Sequence, residues 1–203
     1  MKSTVAAIIL SAGSSRRMGS PKALLRIGKS TFLQHLINVI GDAGVPKKIV
    51  VLGSESEKIR ESLAAFDGEI VVNNEWERGQ LSSIIAGIKN LDRTNCLGVL
   101  ICPVDHPMIS SELVKRLLAA FHQTKKKIII PEYHGRKGHP IVISSELFPE
   151  INNASLEIGL REVVHAHKND IELVSTEEEG VIVNIDTPED YRRYFENIIT
   201  DAP

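Results

Sequence analysis

The sequence predicts an α/β domain built on a mostly parallel sheet, and three observations carry that reading. Short, continuously apolar runs such as Val5–Leu10, Ile49–Leu52 and Leu97–Cys102 have strand length without polar alternation, as strands covered on both faces do. Other segments carry apolar residues at helical spacing, as in Phe32, Leu33, Leu36, Ile37 and Ile40. The two kinds of segment alternate along the chain, the signature of strand–helix–strand units.

Taken in order, Val5–Leu10 is a strand closed by Ser-Ala-Gly, and a polar, basic loop runs on to Lys22. Leu24, Leu25 and Ile27 form a brief extended piece turned at Gly28-Lys29, after which Ser30 or Thr31 caps the first helix. Ile49–Leu52 is the next strand, Glu55–Ala65 a helix with Ile59 and Leu63 inward, Ile70–Val72 a strand and Ser82–Leu91 a helix. Leu97–Cys102 is followed by a helix capped near Ser110 that carries Leu113, Leu117 and Leu118. Ile128–Ile130 and Ile141–Ile143 are strands, and a helix lies near Leu156–His165. Strands near Ile171–Val174 and Val181–Val183 precede a last helix from Pro188. No internal repeat or low-complexity linker interrupts this order, so one domain over residues 1–203 is expected.

Composition narrows the class. A hydrophobic fraction of 42%, a charged fraction of 25% and a net charge of −2 argue against a general nucleic-acid or membrane-surface binder. The apolar runs fall short of the ~20 residues a bilayer span needs, and the amino-terminal stretch ends without a small-residue cleavage site. Cys96 and Cys102 lack CxxC spacing and read as inert buried thiols, so a cytoplasmic enzyme is expected. Lys125–Lys127 and Glu177–Glu179 read as solvated turns or faces.

In an open sheet of this kind ligands sit beyond the carboxyl ends of the strands. After the first strand comes Leu10-Ser-Ala-Gly-Ser-Ser-Arg-Arg-Met-Gly-Ser-Pro-Lys22. Gly13 and Gly19 allow close backbone approach, Ser14 and Ser15 add hydroxyl donors, and Arg16 or Arg17 with Lys22 supply cations, as a triphosphate requires. Neither the P-loop nor the Gly-x-Gly-x-x-Gly fingerprint is present. Gly79, Ser83 and Gly87 recur at four-residue spacing and so share one helical face; Trp76 before them reads as packing. Asp105 follows the most buried strand between two prolines, and a carboxylate so restricted suits a hard cation. Thr187, Pro188 and Asp190 form a helix-capping signature that leaves Asp186 unexplained. His106, His35 and His122 read as solvated or surface histidines, and His165 with His167 lack the ligand set of a zinc site.

The first loop resembles the signature of the NTP-transferase family through Leu10, Gly13, Arg17, Met18, Gly19 and Lys22. Pro-Val-Asp105-His-Pro, the Asp186-Thr-Pro-Glu-Asp run and the Gly79…Ser83…Gly87 segment match further family motifs in order. The resemblance implies a three-layer α/β/α Rossmann-like sandwich with a mostly parallel mixed sheet, of the nucleotide-diphospho-sugar transferase type. It implies that Leu10, Ser11, Ala12, Gly13, Arg16, Lys22, Gly79 and Ser83 bind nucleotide, with the choice between Arg16 and Arg17 open. Mg²⁺ would sit on Asp105 and Asp186, while Lys22, Arg17 and Asp105 would be catalytic. Gly138-His139-Pro140 resembles an acceptor-side segment of the molybdenum cofactor cytidylyltransferase branch, which places Gly138 and His139 at the acceptor. That branch usually reads Leu-Ala-Ala-Gly and its guanylyltransferase relatives Leu-Ala-Gly-Gly; Leu10-Ser11-Ala12-Gly13 leans toward CTP. The implied reaction moves CMP from CTP to the terminal phosphate of molybdopterin and releases pyrophosphate, with a recipient molybdoenzyme as a further partner. A sugar-phosphate nucleotidyltransferase and a non-catalytic nucleotide-binding chaperone or sensor stand as alternatives.

Overall fold

The computed structural model describes residues 4–199. Its strands are β1 (Thr4–Ser11), β2 (Arg26–Ile27), β3 (Ser30–Thr31), β4 (Lys48–Leu52), β5 (Glu69–Val72), β6 (Cys96–Pro103), β7 (Ile128–Tyr133), β8 (Arg136–Lys137), β9 (Ile141–Ser144) and β10 (Ile171–Ser175). Its helices are α1 (Phe32–Asp42), α2 (Ser56–Glu61), α3 (Gln80–Lys89), α4 (Ser111–Gln123), α5 (Phe148–Asn153), α6 (Arg161–Ala166) and α7 (Pro188–Ile199). The main sheet runs β10-β7-β9-β6-β1-β4-β5, with β8 added on β7. β1 pairs in parallel with both β4 and β6, whereas β9 runs antiparallel between β6 and β7. This is the expected mixed, mostly parallel sheet.

Side-chain alternation along the central strands builds two cores. Val5, Ala7 and Ile9 of β1, Val50 and Leu52 of β4, and Leu100 and Cys102 of β6 face one side. There they meet Phe32, Leu33 and Leu36 of α1, Leu113 and Leu117 of α4, and Phe195 of α7. Ala6, Ile8 and Leu10, with Ile49, Val51, Val99 and Ile101, face the other side. They pack on Leu81, Ile84 and Ile88 of α3, Phe148 and Ile151 of α5, and Val163 of α6. Helices thus cover both faces, which is why those strands are apolar throughout. Gly87 belongs to this packing: a Cβ there would lie 2.8 Å from Ile8 Cγ2.

Several elements depart from expectation. Of the two expected candidates Thr31 rather than Ser30 caps α1, its hydroxyl accepting from the Gln34 N–H at 3.2 Å while its own N–H donates to Gln34 Oε1 at 3.1 Å. The helix expected over Glu55–Ala65 stops at Glu61, because the following N–H groups of Ser62 and Leu63 bond only three residues back. Gly159, at φ 79°, holds the start of the helix expected near Leu156–His165 back to Arg161, while α5 forms ahead of it with a proline in its first turn. His134 and Gly135 both take positive φ, the requirement of a two-residue hairpin turn, and so create β8.

Val181–Val183 is not a strand. Glu179–Val181 is a 3-10 turn in which Ile182 N–H bonds the Glu179 carbonyl, and Gly180 presses against the Met108 backbone. Glu178 is no solvated charge, since its carboxylate accepts from the backbone N–H and hydroxyl of Ser110 at 3.0 and 2.7 Å and so supports the start of α4. Cys102 is buried and burial pushes its thiol pKa up, but Cys96 is only half-buried. Among the described residues no helix is long and apolar enough to cross a membrane.

Two consequences are measurable. A methyl group on Gly180 would fall onto the Met108 carbonyl, and backbone there cannot move aside, so Gly180→Ala should cost about 3 kcal/mol in urea unfolding. His167 joins α5 to the chain after α6, its ring lying 2.7 Å from Glu150 and 3.3 Å from Asp170. The Glu150 hydrogen bond, reinforced by Asp170, raises its pKa above the usual imidazole value. Its stabilisation is therefore full below the unfolded pKa and disappears as pH rises through the folded one. His167→Gln should lower Tm by at most about 2–4 °C at pH 6 and leave it unchanged at pH 9, as scanning calorimetry at both pH values would report.

Candidate active site

The carboxyl ends of β1 and β6 set the floor of the site. Val104 N–H bonds the Leu10 carbonyl at 3.0 Å, extending the β1–β6 pairing into the two functional loops. Ile185 N–H then bonds the Asp105 carbonyl at 2.9 Å, which ties the late acidic motif to the strand-end one. Residues eighty or more positions apart are fixed together by backbone alone.

The first loop folds on Ser15. Met18 and Gly19 N–H groups bond its carbonyl, Lys22 N–H donates to its hydroxyl at 3.1 Å, and the buried Met18 side chain anchors the turn in the core. Leu10 to Ser15 line a cleft of about 320 Å³ together with Lys22, Trp76, Gly79, Gln80, Ser83 and Asp105. Gly13 is exposed, and a Cβ on it would meet nothing within 4 Å, so open space lies over the loop backbone. Gly79 has φ 99°, a conformation that favours glycine, and it turns the chain so that α3 begins at the cleft wall. Ser83 is buried and accepts from Asn73 Nδ2 at 3.0 Å. The stripe expected of Gly79, Ser83 and Gly87 therefore splits, with the first two at the cleft and Gly87 against β1. Trp76 combines packing against Gly53 with a half-exposed position on the cleft wall.

Asp105 and Asp186 converge on one cation. The Lys22 ammonium lies 3.3 Å from Asp105 and pairs also with Asp186, whose other oxygen takes Arg17 at 2.9 Å. Burial alone would raise the Asp186 pKa, but Lys22 and Arg17 outweigh it and hold the carboxyl below the ordinary range. Asp190 braces the segment by accepting from the N–H groups of Asp186 and Thr187 at 3.0 and 2.8 Å. Arg16 points to solvent instead, so of the two arginines only Arg17 reaches the acids here. Lys22 already stands as a cation between the two carboxylates, so the pair fits a divalent ion completed by water and phosphate oxygens.

Beside Asp105 lies a polar cleft of about 320 Å³ lined by Gln80, His106, Arg136, Lys137, His139 and Asn184. His106 is buried, contrary to the solvated position expected of it; it packs 5.0 Å from the His139 ring. Burial lowers both pKa values, that of His139 to about 4, so both rings are neutral at pH 7. Among the described residues the Nδ1 atom of each is buried without a hydrogen-bond partner. Gly138 is packed against the Val181 carbonyl and positions its neighbour His139. His35 is half-buried, while His122 is exposed as expected. Arg136, Lys137, Gln80 and Asn184 escaped the sequence reading because their spacing carries no motif; only the turn that forms β8 brings the first two to the site.

Residues 7–171 match the MobA-like NTP transferase domain. The chain belongs to this family. Among relatives of the MobA-like domain, a nicotine blue oxidoreductase of Paenarthrobacter nicotinovorans is 28% identical, over 93% of this chain and 95% of its own. A molybdenum cofactor guanylyltransferase of Shewanella piezotolerans is 24% identical, over 99% of this chain and 97% of its own. Rv0371c of Mycobacterium tuberculosis shares the fold at TM-score 0.86 and 24% identity, covering 97% of this chain and 99% of that one. A second structure of Rv0371c, complexed with manganese, superimposes at TM-score 0.80 and 23% identity, over 95% of this chain and 98% of that one. The nucleotide-diphospho-sugar transferase fold of this MobA-like chain is the one expected.

The charge pairing at the centre of the site has a direct readout. Lys22→Met removes the first-named of the groups that depress Asp186, so its carboxyl should titrate at higher pH in the variant, as carbon-13 NMR of the aspartates would register.

Proposed function

We propose that the chain is a divalent-metal-dependent nucleotidyltransferase that moves an NMP group from an NTP to the terminal phosphate of a molybdopterin-type acceptor. One observation supports this most: the glycine- and serine-built loop, Lys22 and Asp105 line one cleft, and Lys22 there also pairs with Asp186, which Arg17 joins. A relative named as an oxidoreductase shows that family membership alone leaves the chemistry open, and this convergence favours phosphoryl chemistry.

In this reading an oxygen of the acceptor phosphate bonds to the α-phosphorus, the bond from that phosphorus to the bridging oxygen breaks, and pyrophosphate leaves with the electron pair. A phosphate monoester is largely ionised at pH 7, so no protein base is needed. Leu10 to Gly13 orient the triphosphate, with Gly79 and Ser83 on the base and ribose side. Lys22 and Arg17 neutralise the leaving pyrophosphate. Asp105 and Asp186 would hold the cation, Mg²⁺ in this proposal, which when bound supplies charge neutralisation at the α-phosphate. Gly138 places His139 at the acceptor, whose phosphate the Arg136 and Lys137 side of the polar cleft suits. A wider cleft of about 600 Å³ continues from it, walled by Leu81, Ile130, Ile141, Leu156 and Leu160, and matches a flat heterocyclic body.

For the base, Ala12 supports CTP. It lines the cleft with its carbonyl held by Ser54 N–H at 3.0 Å, and a methyl group there leaves less room than the glycine usual in the guanylyl branch. The guanylyltransferase name of the Shewanella relative favours GTP as the second reading. A recipient molybdoenzyme would take the product.

Pyrophosphate release with molybdopterin, Mg²⁺ and each NTP separates the readings. CTP should support the fastest turnover; a preference for GTP would establish the second reading, and no release with any NTP would end both. Asp105→Ala and Lys22→Ala should each lose at least about a hundredfold in turnover with unchanged far-UV circular dichroism.

A further inference from the structure

Two carboxylates at one point repel each other unless a cation stands between them. In this chain that cation is Lys22, shared by Asp105 and Asp186, with Arg17 on the remaining Asp186 oxygen. The Lys22 side chain is only 13% exposed, so water screens the ammonium little. Its backbone is held on one side by Ser15 and on the other by the 3-10 turn Lys22–Leu24, which leaves the four-carbon stem as the part free to swing. The loop that carries Lys22 also lines the nucleotide cleft, within the stem's sweep.

We propose that Lys22 is a built-in counter-cation that holds the acid pair closed to a divalent ion until nucleotide phosphates draw it away. This rests on the reading of the cleft as an NTP site and of the acids as the metal pair. A divalent ion and an ammonium cannot both occupy the space between Asp105 and Asp186, so the ion competes with Lys22 in the free protein. An anionic phosphate chain over Gly13 to Ser15 gives the ammonium a second partner and releases the acids. Nucleotide and metal then strengthen each other's binding, and by linkage the strengthening is equal in both directions. Lys22 thereby acts twice, as a positioning residue for the metal pair before binding and as a phosphate ligand afterwards.

The test follows Mn²⁺ binding to the full chain by loss of the free-ion EPR signal, alone and with the α,β-methylene analogues of CTP and GTP. Without nucleotide, Lys22→Met should bind Mn²⁺ roughly tenfold more tightly than the unsubstituted protein. Lys22→Arg, which keeps the charge, should show no such gain. The double variant Lys22→Met/Asp186→Asn should lose the gain, which locates the ion at the acid pair. Circular dichroism checks each fold, and Lys22→Gln replaces the Met variant if that one is unfolded. Neutral variants that bind Mn²⁺ no more tightly than the unsubstituted protein overturn the inference, as does a gain that survives in the double variant. Either result, with an analogue still bound, leaves the nucleotide reading standing; failure of both analogues to bind overturns both.

Discussion

The site is organised around a charge problem. Asp105 and Asp186 arrive from segments far apart in the chain, and in a partly buried cleft their like charges require a cation within reach. Lys22 meets that requirement, and together with Arg17 it outweighs the burial that would otherwise favour the neutral acid in Asp186. Other features of the site serve this grouping. The Ser15-centred loop aims Lys22 inward, the Ile185–Asp105 backbone bond joins the two acidic motifs, and Asp190 braces the backbone that presents Asp186.

The grouping stands on an unusually direct mechanical base. β1 is an interior strand between β6 and β4, with residues alternating between two cores, and its last hydrogen bond to the chain after β6 carries the order of the sheet into the loops. Close-packed layers on both sides leave the strand ends little freedom, so the loops inherit fixed starting points. Substrate selection is then left to cleft walls built from different elements: the β1 loop and α3 on one side, the β7–β8 hairpin and the turn around Gly180 on the other.

The two sides of the site differ in how they present charge. The side at the end of β1 uses permanent cations whose partners are acids. The other side has one buried and one half-buried imidazole, His106 and His139, both neutral and, among the described residues, with no partner for Nδ1, flanked by Arg136 and Lys137 at the surface. Neutral rings orient a ligand without fixing its charge, while the flanking cations attract an anion.

Much of this was legible in the sequence because the relevant physics is local. Continuous apolarity marked β1, β4 and β6 as strands covered twice; the Thr31 and Thr187 caps marked helix starts; and the loop from Leu10 to Lys22 carried its phosphate-like chemistry in adjacent residues. What sequence misjudged depends on contacts between distant segments. Val181–Val183 has strand composition, but Glu179–Val181 closes as a 3-10 turn that Gly180 fits beneath Met108. His106 reads as a loop histidine and is buried because the Gly138–Val181 packing closes over it with His139. Glu178 reads as one of three solvated acids and is drawn into the Ser110 cap. The sequence by itself determined the layers and placed a glycine- and serine-rich loop and Asp105 at strand ends, since periodicity and neighbouring residue types suffice for these. Only the tertiary structure decided that both acids meet on Lys22, that Arg17 rather than Arg16 joins them, and that the β8 hairpin walls the second cleft, because each is a matter of which remote side chains share one small volume.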